Sequence, residues 1–295
     1  MKPPPFSIAT PDTLEEALDL LERYSDDGRV LAGGQSLVPL MALRLAAPGV
    51  LIDIGRITSL ASVDASSTGV RLGAGVRQRR VEGDPAIAAL LPIVPEAVAM
   101  IGHPTIRNRG TVVGSLCHAD PAAELPLVAV ALNAQIDIAS VARQRTIGAE
   151  QFFRGYMTTD LAPTEMAVAV RFARLPSSTG SAFVEVSRRS GDFAMVAAAA
   201  VVDTTDDGVI RSARLVLGAV ADVPQVITGL DELLVGHNVD DAALAEVANQ
   251  VRTQVTPPTD LHATAAYRRH MAAVVAQRAL ATACGRAHGV AQGAA

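Results

Sequence analysis

The chain has 295 residues, 49% of them apolar but only 3% aromatic and none tryptophan, so its core must be assembled from Ala, Val, Leu and Ile, and its length suits two modest domains or one elaborate one. A formal net charge of −5 supplies no basic field for a phosphate backbone or an anionic bilayer, which excludes nucleic acid as the main partner. No stretch reaches the roughly 20 uncharged apolar residues of a membrane-spanning helix and the start, MKPPPFSIATPD, lacks the apolar run of a signal peptide, so cytoplasmic residence is expected.

Thr13 and Glu16 stand in capping-box spacing ahead of LEEALDLLERY, where Leu14, Leu18 and Leu21 share one helical face, so a first helix is expected there. VLAGG then reads as a strand entering a turn, LVPLMALRL as a second helix and VLIDI (50–54) as a buried strand, together a small parallel unit. Alternation in GVRLGAGV (69–76) predicts a strand with one wet face, and DPAIAALLPIVPEAVAMIG (84–102) predicts helices broken at Pro92 and Pro95.

From Gln135 the texture turns to β structure: AQIDIAS, TEMAVAVRFAR and SAFVEVSRR, each bounded by turn residues, predict antiparallel strands. Residues 193–220 read as a hairpin whose two runs join through Asp206, Asp207 and Gly208. Two helices follow, DDAALAEVANQV and ATAAYRRHMAAVVAQRALATAC, the second with Tyr267, Met271, Val274 and Val275 able to line one face.

The expectation is an α+β fold. A first domain over 1–177 combines a small parallel α/β unit (about 1–57) with a mixed or antiparallel sheet and helices (58–177). A C-terminal α+β domain with an antiparallel sheet follows over 178–285, then a flexible tail over 286–295. Pro, Ser and Gly cluster at the boundary, LPSSTG (175–180), and no solenoid repeat is visible.

The two cysteines, Cys117 and Cys284, lie far apart and make neither a CxxC metal site nor a disulfide framework, and no HExxH spacing exists for zinc. Any iron-sulfur cluster working with this chain must therefore sit on another. Cys117 reads as a small buried hydrophobe.

Chemistry points to two turns. AGGQS (32–36) joins a strand to a helix-like run, and its glycines let a ligand approach the backbone closely. Alone, it fits an ordinary connection as well as an anion cradle. Within GHPTIRNRGTVVGSLCHADPAAELPL (102–127), a second turn, Gly114-Ser115-Leu116, follows Thr111 and precedes another helix-like run. Two such turns could hold one pyrophosphate through backbone N–H groups with little cationic help. Neither has a P-loop lysine, and GAGVRQRRVEG is not a Rossmann fingerprint.

AGGQSLVPLMALRL, IRNRGTVVGSLCHADPAAELP, RRSGDFAMVAAAAVV and HATAAYRRHMAAVVAQRAL occur in that order across nearly the whole chain. Together they resemble the FAD-binding medium subunit of molybdenum hydroxylases, the family of carbon monoxide dehydrogenase and the bacterial xanthine and nicotine dehydrogenases. The resemblance implies that Ala32, Gly33, Gly34, Gln35 and Ser36, with Thr111, Gly114 and Ser115, contact the FAD pyrophosphate through the backbone, and that Leu37 packs behind. It makes Glu124 the partner of a ribose hydroxyl and puts His118 in the same cavity, with a weaker claim for His103. Phe193 becomes either a neighbour of the flavin ring or a core aromatic.

Relatives carry two adjacent glycines in the second turn, where this chain has Val113 before Gly114. A β-branched residue tolerates positive φ badly, so if the family geometry requires positive φ at this position, the turn must relax here. The resemblance further implies electron transfer, with no catalytic acid or base on this chain. A small subunit with two [2Fe-2S] clusters would relay electrons, a large subunit with a molybdenum-pterin centre would oxidise the substrate, and the whole would assemble as a dimer of heterotrimers.

Two alternatives stand beside this one. A free-standing FAD oxidase would act without partners, although covalent flavin attachment there needs a His or Cys where Gln35 stands. A non-catalytic nucleotide-binding or assembly module would hold no flavin even in a complete complex.

Overall fold

Thr13 ends an extended stretch and caps the first helix. Its Oγ1 accepts from the Glu16 N–H at 3.2 Å, while the Glu16 carboxylate accepts from the Asp12 N–H at 2.8 Å, so two donors left unpaired at a helix start are satisfied. The computed structural model that shows this describes residues 2–293, with side chains for 2–287.

The first unit contains β1 (Ser7–Ala9), α1 (Leu14–Tyr24), β2 (Gly28–Leu31), α2 (Leu37–Ala42) and β3 (Val50–Asp53). Its strands are parallel in the order β1-β3-β2, and α1 buries Ala17, Leu18 and Leu21. Strand β1, three residues long behind a proline run, is absent from the sequence reading. Helix α2 is shorter than its apolar run, which turns at Arg44 into the left-handed region, φ 61°.

The second unit is a five-stranded antiparallel sheet ordered β4-β5-β10-β6-β7, formed by β4 (Val63–Ser66), β5 (Gly69–Gly73), β6 (Gln135–Ala139), β7 (Gln144–Gly148) and β10 (Met166–Ala173). Between β5 and β6 run α3 (Gln78–Glu82), α4 (Pro85–Leu90), α5 (Ile93–Met100), α6 (Pro104–Arg107), α7 (Val112–His118) and α8 (Glu124–Ala131). Before β10 come α9 (Ala149–Phe152) and the small hairpin β8 (Phe153–Gly155) and β9 (Thr158–Thr159). Strand β5 has no wet face: only Arg71 in it is not fully buried. Pro92 marks the break between α4 and α5, whereas Pro95 sits in the first turn of α5, where a missing N–H costs no helical hydrogen bond.

The third unit is an antiparallel sheet ordered β11-β12-β13-β14, from β11 (Thr179–Val186), β12 (Val196–Thr204), β13 (Ile210–Gly218) and β14 (Gln225–Val226), followed by α10 (Leu230–Leu234), α11 (Asp241–Gln254) and α12 (Ala265–Gly293). The strands β10 and β11, adjacent in sequence, belong to different sheets. One face of the third sheet packs on α12 and α10, with α11 laid against α12, and the other, through Ala197, Ala199 and Val216, shares a core with α8, whose eight residues are all buried.

The packing face of α12 differs from the expected one. Tyr267 is 41% exposed and Met271 and Val274 are half-buried, while Ala272, Ala273, Val275, Ala276, Ala279, Leu280 and Ala283 face the sheet. Alanine brings the helix backbone onto the strand: a Cβ on Gly180 would overlap the Ala283 carbonyl. Helix α12 also runs through residues expected in a loose tail. Arg286 donates to both oxygens of Glu96 at 2.8 and 3.0 Å and to the Ser181 carbonyl at 2.6 Å, and Ala287 is buried. Residues 294 and 295 of that tail lie outside the described residues.

Candidate functional site

Strand β2 delivers the chain into Ala32–Ser36, where Gly34 takes φ 72° and α2 begins with Val38 N–H donating to the Gly34 carbonyl at 3.1 Å and Leu40 N–H to that of Ser36 at 3.1 Å. Among the described residues, the N–H groups of Gly33, Gly34, Gln35, Ser36 and Leu37 find no acceptor in the chain. The Gln35 carboxamide folds back and donates to the Gly33 carbonyl at 3.2 Å. A consecutive run of unspent N–H groups is the raw material of an oxyanion nest.

The second turn is built differently from expectation. Residues 76–78 and 110–112 form a short antiparallel bridge, with Gln78 N–H donating to the Gly110 carbonyl at 2.8 Å and Val112 N–H to that of Val76 at 3.1 Å. Thr111 then caps α7: its Oγ1 accepts from Gly114 N–H at 3.0 Å, and its carbonyl accepts from Ser115 N–H at 3.2 Å. The amides of Gly114 and Ser115 are thereby consumed within the chain. Those that find no acceptor among the described residues are Thr111 and Val113. Gly114 matters instead for its missing Cβ, which would crowd the capping hydroxyl and lie 3.9 Å from the Ala32 Cβ.

Nor is the turn relaxed at Val113. Helix α7 starts one residue earlier, at Val112, so Val113 has an ordinary negative φ and is buried at 2% exposure. The strain expected of a β-branched residue does not arise.

The turns meet through bare backbone. A Cβ on Gly33 would overlap the Arg109 carbonyl and lie 2.7 Å from the Gly110 Cα. Together they form one lip of a cavity of about 800 Å³, within the size range of small-molecule and cofactor sites. Ala32, Gly33, Gly34, Gln35, Ser36 and Leu37 line it, with Thr111, Gly114, Ser115, His118, Glu124 and Phe193. His103 does not, and is exposed.

Glu124, the first residue of α8, is only 4% exposed. Burial pushes its carboxyl up to about 8, with smaller contributions from the charges of Glu185 and Asp120, so it can donate as well as accept a hydrogen bond at neutral pH. His118 ends α7 with Nε2 3.9 Å from Asp120 Oδ2. The Cys117 thiol is pushed up to about 12 by burial, which leaves it unreactive. Phe193 is 62% exposed at the cavity, not a core aromatic.

The facing wall, Met157–Pro163, escapes the sequence reading. One ion network pins it. Arg145 donates to Glu165 Oε1 and Oε2 at 2.8 and 2.6 Å and to the side chain and carbonyl of Asp160 at 2.8 and 2.7 Å, while Arg154 holds the other Asp160 oxygen. Arg145 holds the Glu165 carboxyl down to about 2. No local motif announces these residues, because partners lie 15 and 20 positions apart. Gln78, which also lines the cavity, is missed for the same reason.

Comparison with known proteins gives the same outline. Residues 4–175 match the family described as FAD binding domain in molybdopterin dehydrogenase, and residues 181–283 match the CO dehydrogenase flavoprotein C-terminal domain. The chain is 36% identical to the 6-hydroxypseudooxynicotine dehydrogenase complex subunit alpha of Paenarthrobacter nicotinovorans, covering 97% of each chain. It is 33% identical to the carbon monoxide dehydrogenase medium chain of Afipia carboxidovorans, covering 97% of this chain and 99% of that one. Among solved structures, quinoline 2-oxidoreductase from Pseudomonas putida 86 superposes with a TM-score of 0.93 at 35% identity, over 98% of this chain and 100% of that chain. Carbon monoxide dehydrogenase from Hydrogenophaga pseudoflava gives 0.93 at 32%, over 97% and 99%.

Proposed function

We propose that this chain, which belongs to the family of FAD-binding medium subunits of molybdenum hydroxylases, receives electrons from the [2Fe-2S] clusters of a small partner subunit and passes them to an external acceptor. In this reading a large partner subunit with a molybdenum-pterin centre oxidises the substrate, and the complex is a cytoplasmic dimer of heterotrimers. Free thiols at Cys117 and Cys284 suit a reducing compartment.

The observation that carries the reading is the lip of the cavity, where the N–H groups of Gly33 to Leu37 find no acceptor among the described residues and a backbone-to-backbone junction leaves no room for side chains. That donor set fits a diphosphate without a lysine. The amides of residues 33–37, those of Thr111 and Val113, and the Ser115 hydroxyl are the donors assigned to it. Glu124 is assigned to a ribose hydroxyl, and Ala32 and Leu37 to the walls. Phe193, exposed at the cavity, is assigned to the edge of the flavin ring, with His118 facing the same space. When bound, FAD supplies the redox group, and the protein's part is to hold, orient and shield it. No residue of this chain is required as a general acid or base.

The test is purification of the chain alone and with its co-expressed neighbours, followed by visible spectroscopy. Flavin absorbance in both, with iron-sulfur absorbance only when partners co-purify, is the expected result. A yellow, fully active enzyme without partners would overturn the subunit reading.

Among the described residues no helix is long and apolar enough to cross a membrane, and no group of His, Cys, Asp and Glu is arranged to hold a metal ion.

A further inference from the structure

Gln78 opens α3 and is only 4% exposed, yet its carboxamide is left over. Among the described residues Oε1 is fully enclosed with no donor, while Nε2 is not enclosed and makes no hydrogen bond within the chain. Buried carboxamides are normally satisfied, and leaving one unsatisfied costs free energy that an apolar side chain of the same shape would avoid. Only Nε2 can serve an acceptor-rich ligand, and its position puts that free donor beside one possible site. Gln78 lines the cavity, its main-chain N–H is bonded to the Gly110 carbonyl, and its Oε1 lies 2.6 Å from where a Cβ on Gly110 would stand. Gly110 is in turn the residue against which Gly33 packs. The carboxamide therefore sits beside the junction of the two turns, in the cavity lining. Neighbouring guanidinium groups are spent elsewhere: Arg77 donates to the Arg109 carbonyl, and Arg107 to Glu82 and to the carbonyls of Ile101 and Gly102.

We infer that Gln78 is a cofactor-binding residue, a neutral side-chain donor to the diphosphate of the bound flavin dinucleotide where the two turns meet. This rests on the FAD reading given above. A side chain kept for packing and one kept for a ligand respond oppositely to removal of the polar group. Gln78→Met preserves length and shape while deleting the donor. Gln78→Glu preserves the outline and sets a carboxylate against the phosphates.

The experiment uses the full chain freed of flavin, titrated with FAD by fluorescence, with the thermal midpoint of the flavin-free protein measured in parallel. Gln78→Met is expected to weaken FAD binding about tenfold with the flavin-free midpoint unchanged or raised, and Gln78→Glu to weaken it further. FAD binding at the wild-type level in both variants, or a lowered flavin-free midpoint with binding unchanged, would overturn the assignment. Absence of FAD binding by the wild-type chain would instead overturn the functional reading on which it rests.

Discussion

Glu185, carried on β11, faces Glu124 at the start of α8, and its charge raises the proton affinity of that carboxyl. Burial is the largest cause at Glu124, which it pushes to about 8, and the cause at Glu185, which it pushes to about 7. Neither oxygen of Glu185 has a hydrogen-bond partner among the described residues. The pair lies where the third sheet meets the cavity-bearing unit, so its protonation bears on the stability of that seam.

Both groups hold their protons more tightly in the folded chain than at the ordinary value of 4.5. Their contribution is therefore fully present below pH 4.5 and is lost as pH rises through about 7 and 8. Glu185→Gln should raise the flavin-free thermal midpoint by about 2–4 °C at pH 8 and by less at pH 5. Differential scanning fluorimetry at the two values checks it; an equal shift at both would mean that the Glu185 charge is relieved in another way.

Val113→Gly should destabilise the chain by about 2–3 kcal/mol, from a void beneath α7 and from glycine inside a helix. Restoring the paired glycines of relatives should therefore weaken flavin retention, because Val113 is helical and buried. Urea unfolding and FAD titration of the variant measure both effects, and tighter FAD binding would show that the turn needs the freedom of glycine after all.

Gly33→Ala should cost at least about tenfold in FAD affinity, equivalent to about 1.4 kcal/mol, since the new methyl group would force the two turns apart at the Arg109 carbonyl. Gly155→Ala is the control, with nothing among the described residues within 4 Å of where its Cβ would stand. Equal behaviour of the two variants would separate the junction from flavin binding.

Arg145→Met leaves the buried Glu165 carboxylate without its main partner and should destabilise the chain by about 3 kcal/mol. The Glu165 carboxyl is held below its ordinary 4.5, to about 2, by Arg145 in the wild type. That contribution is present above pH 4.5 and is lost as pH falls from 4.5 towards about 2. The variant should lack this acid-dependent part of the unfolding profile, and an unaltered profile would place the acid sensitivity elsewhere.

Local signals were legible and non-local ones were not. The capping box at Thr13 and Glu16, the glycine turns and the hairpin through Asp206, Asp207 and Gly208 depend on neighbours a few residues away, and each forms where the pattern indicates. The packing face of α12 escaped because hydrophobic size does not record how closely a helix approaches, and alanine is favoured there by contact with Gly180. Pro95 read as a breaker because its place in the first turn of α5 depends on where that helix starts. At the site, sequence marked the two turns that form one lip of the cavity, but not which amides of the second are spent within the chain, since that depends on the capping of Gly114 by Thr111. Gln78 and the Arg145 network carry no motif because their partners are distant in the chain.

The central claim is that the cavity edged by the two turns holds FAD without a covalent bond, and its most direct test is to denature the purified chain, separate any released cofactor and identify it by mass. The account predicts intact FAD, about one per chain, with the polypeptide mass unchanged. A colourless chain even after co-purification with its neighbours, or a polypeptide that keeps a flavin after denaturation, would contradict it.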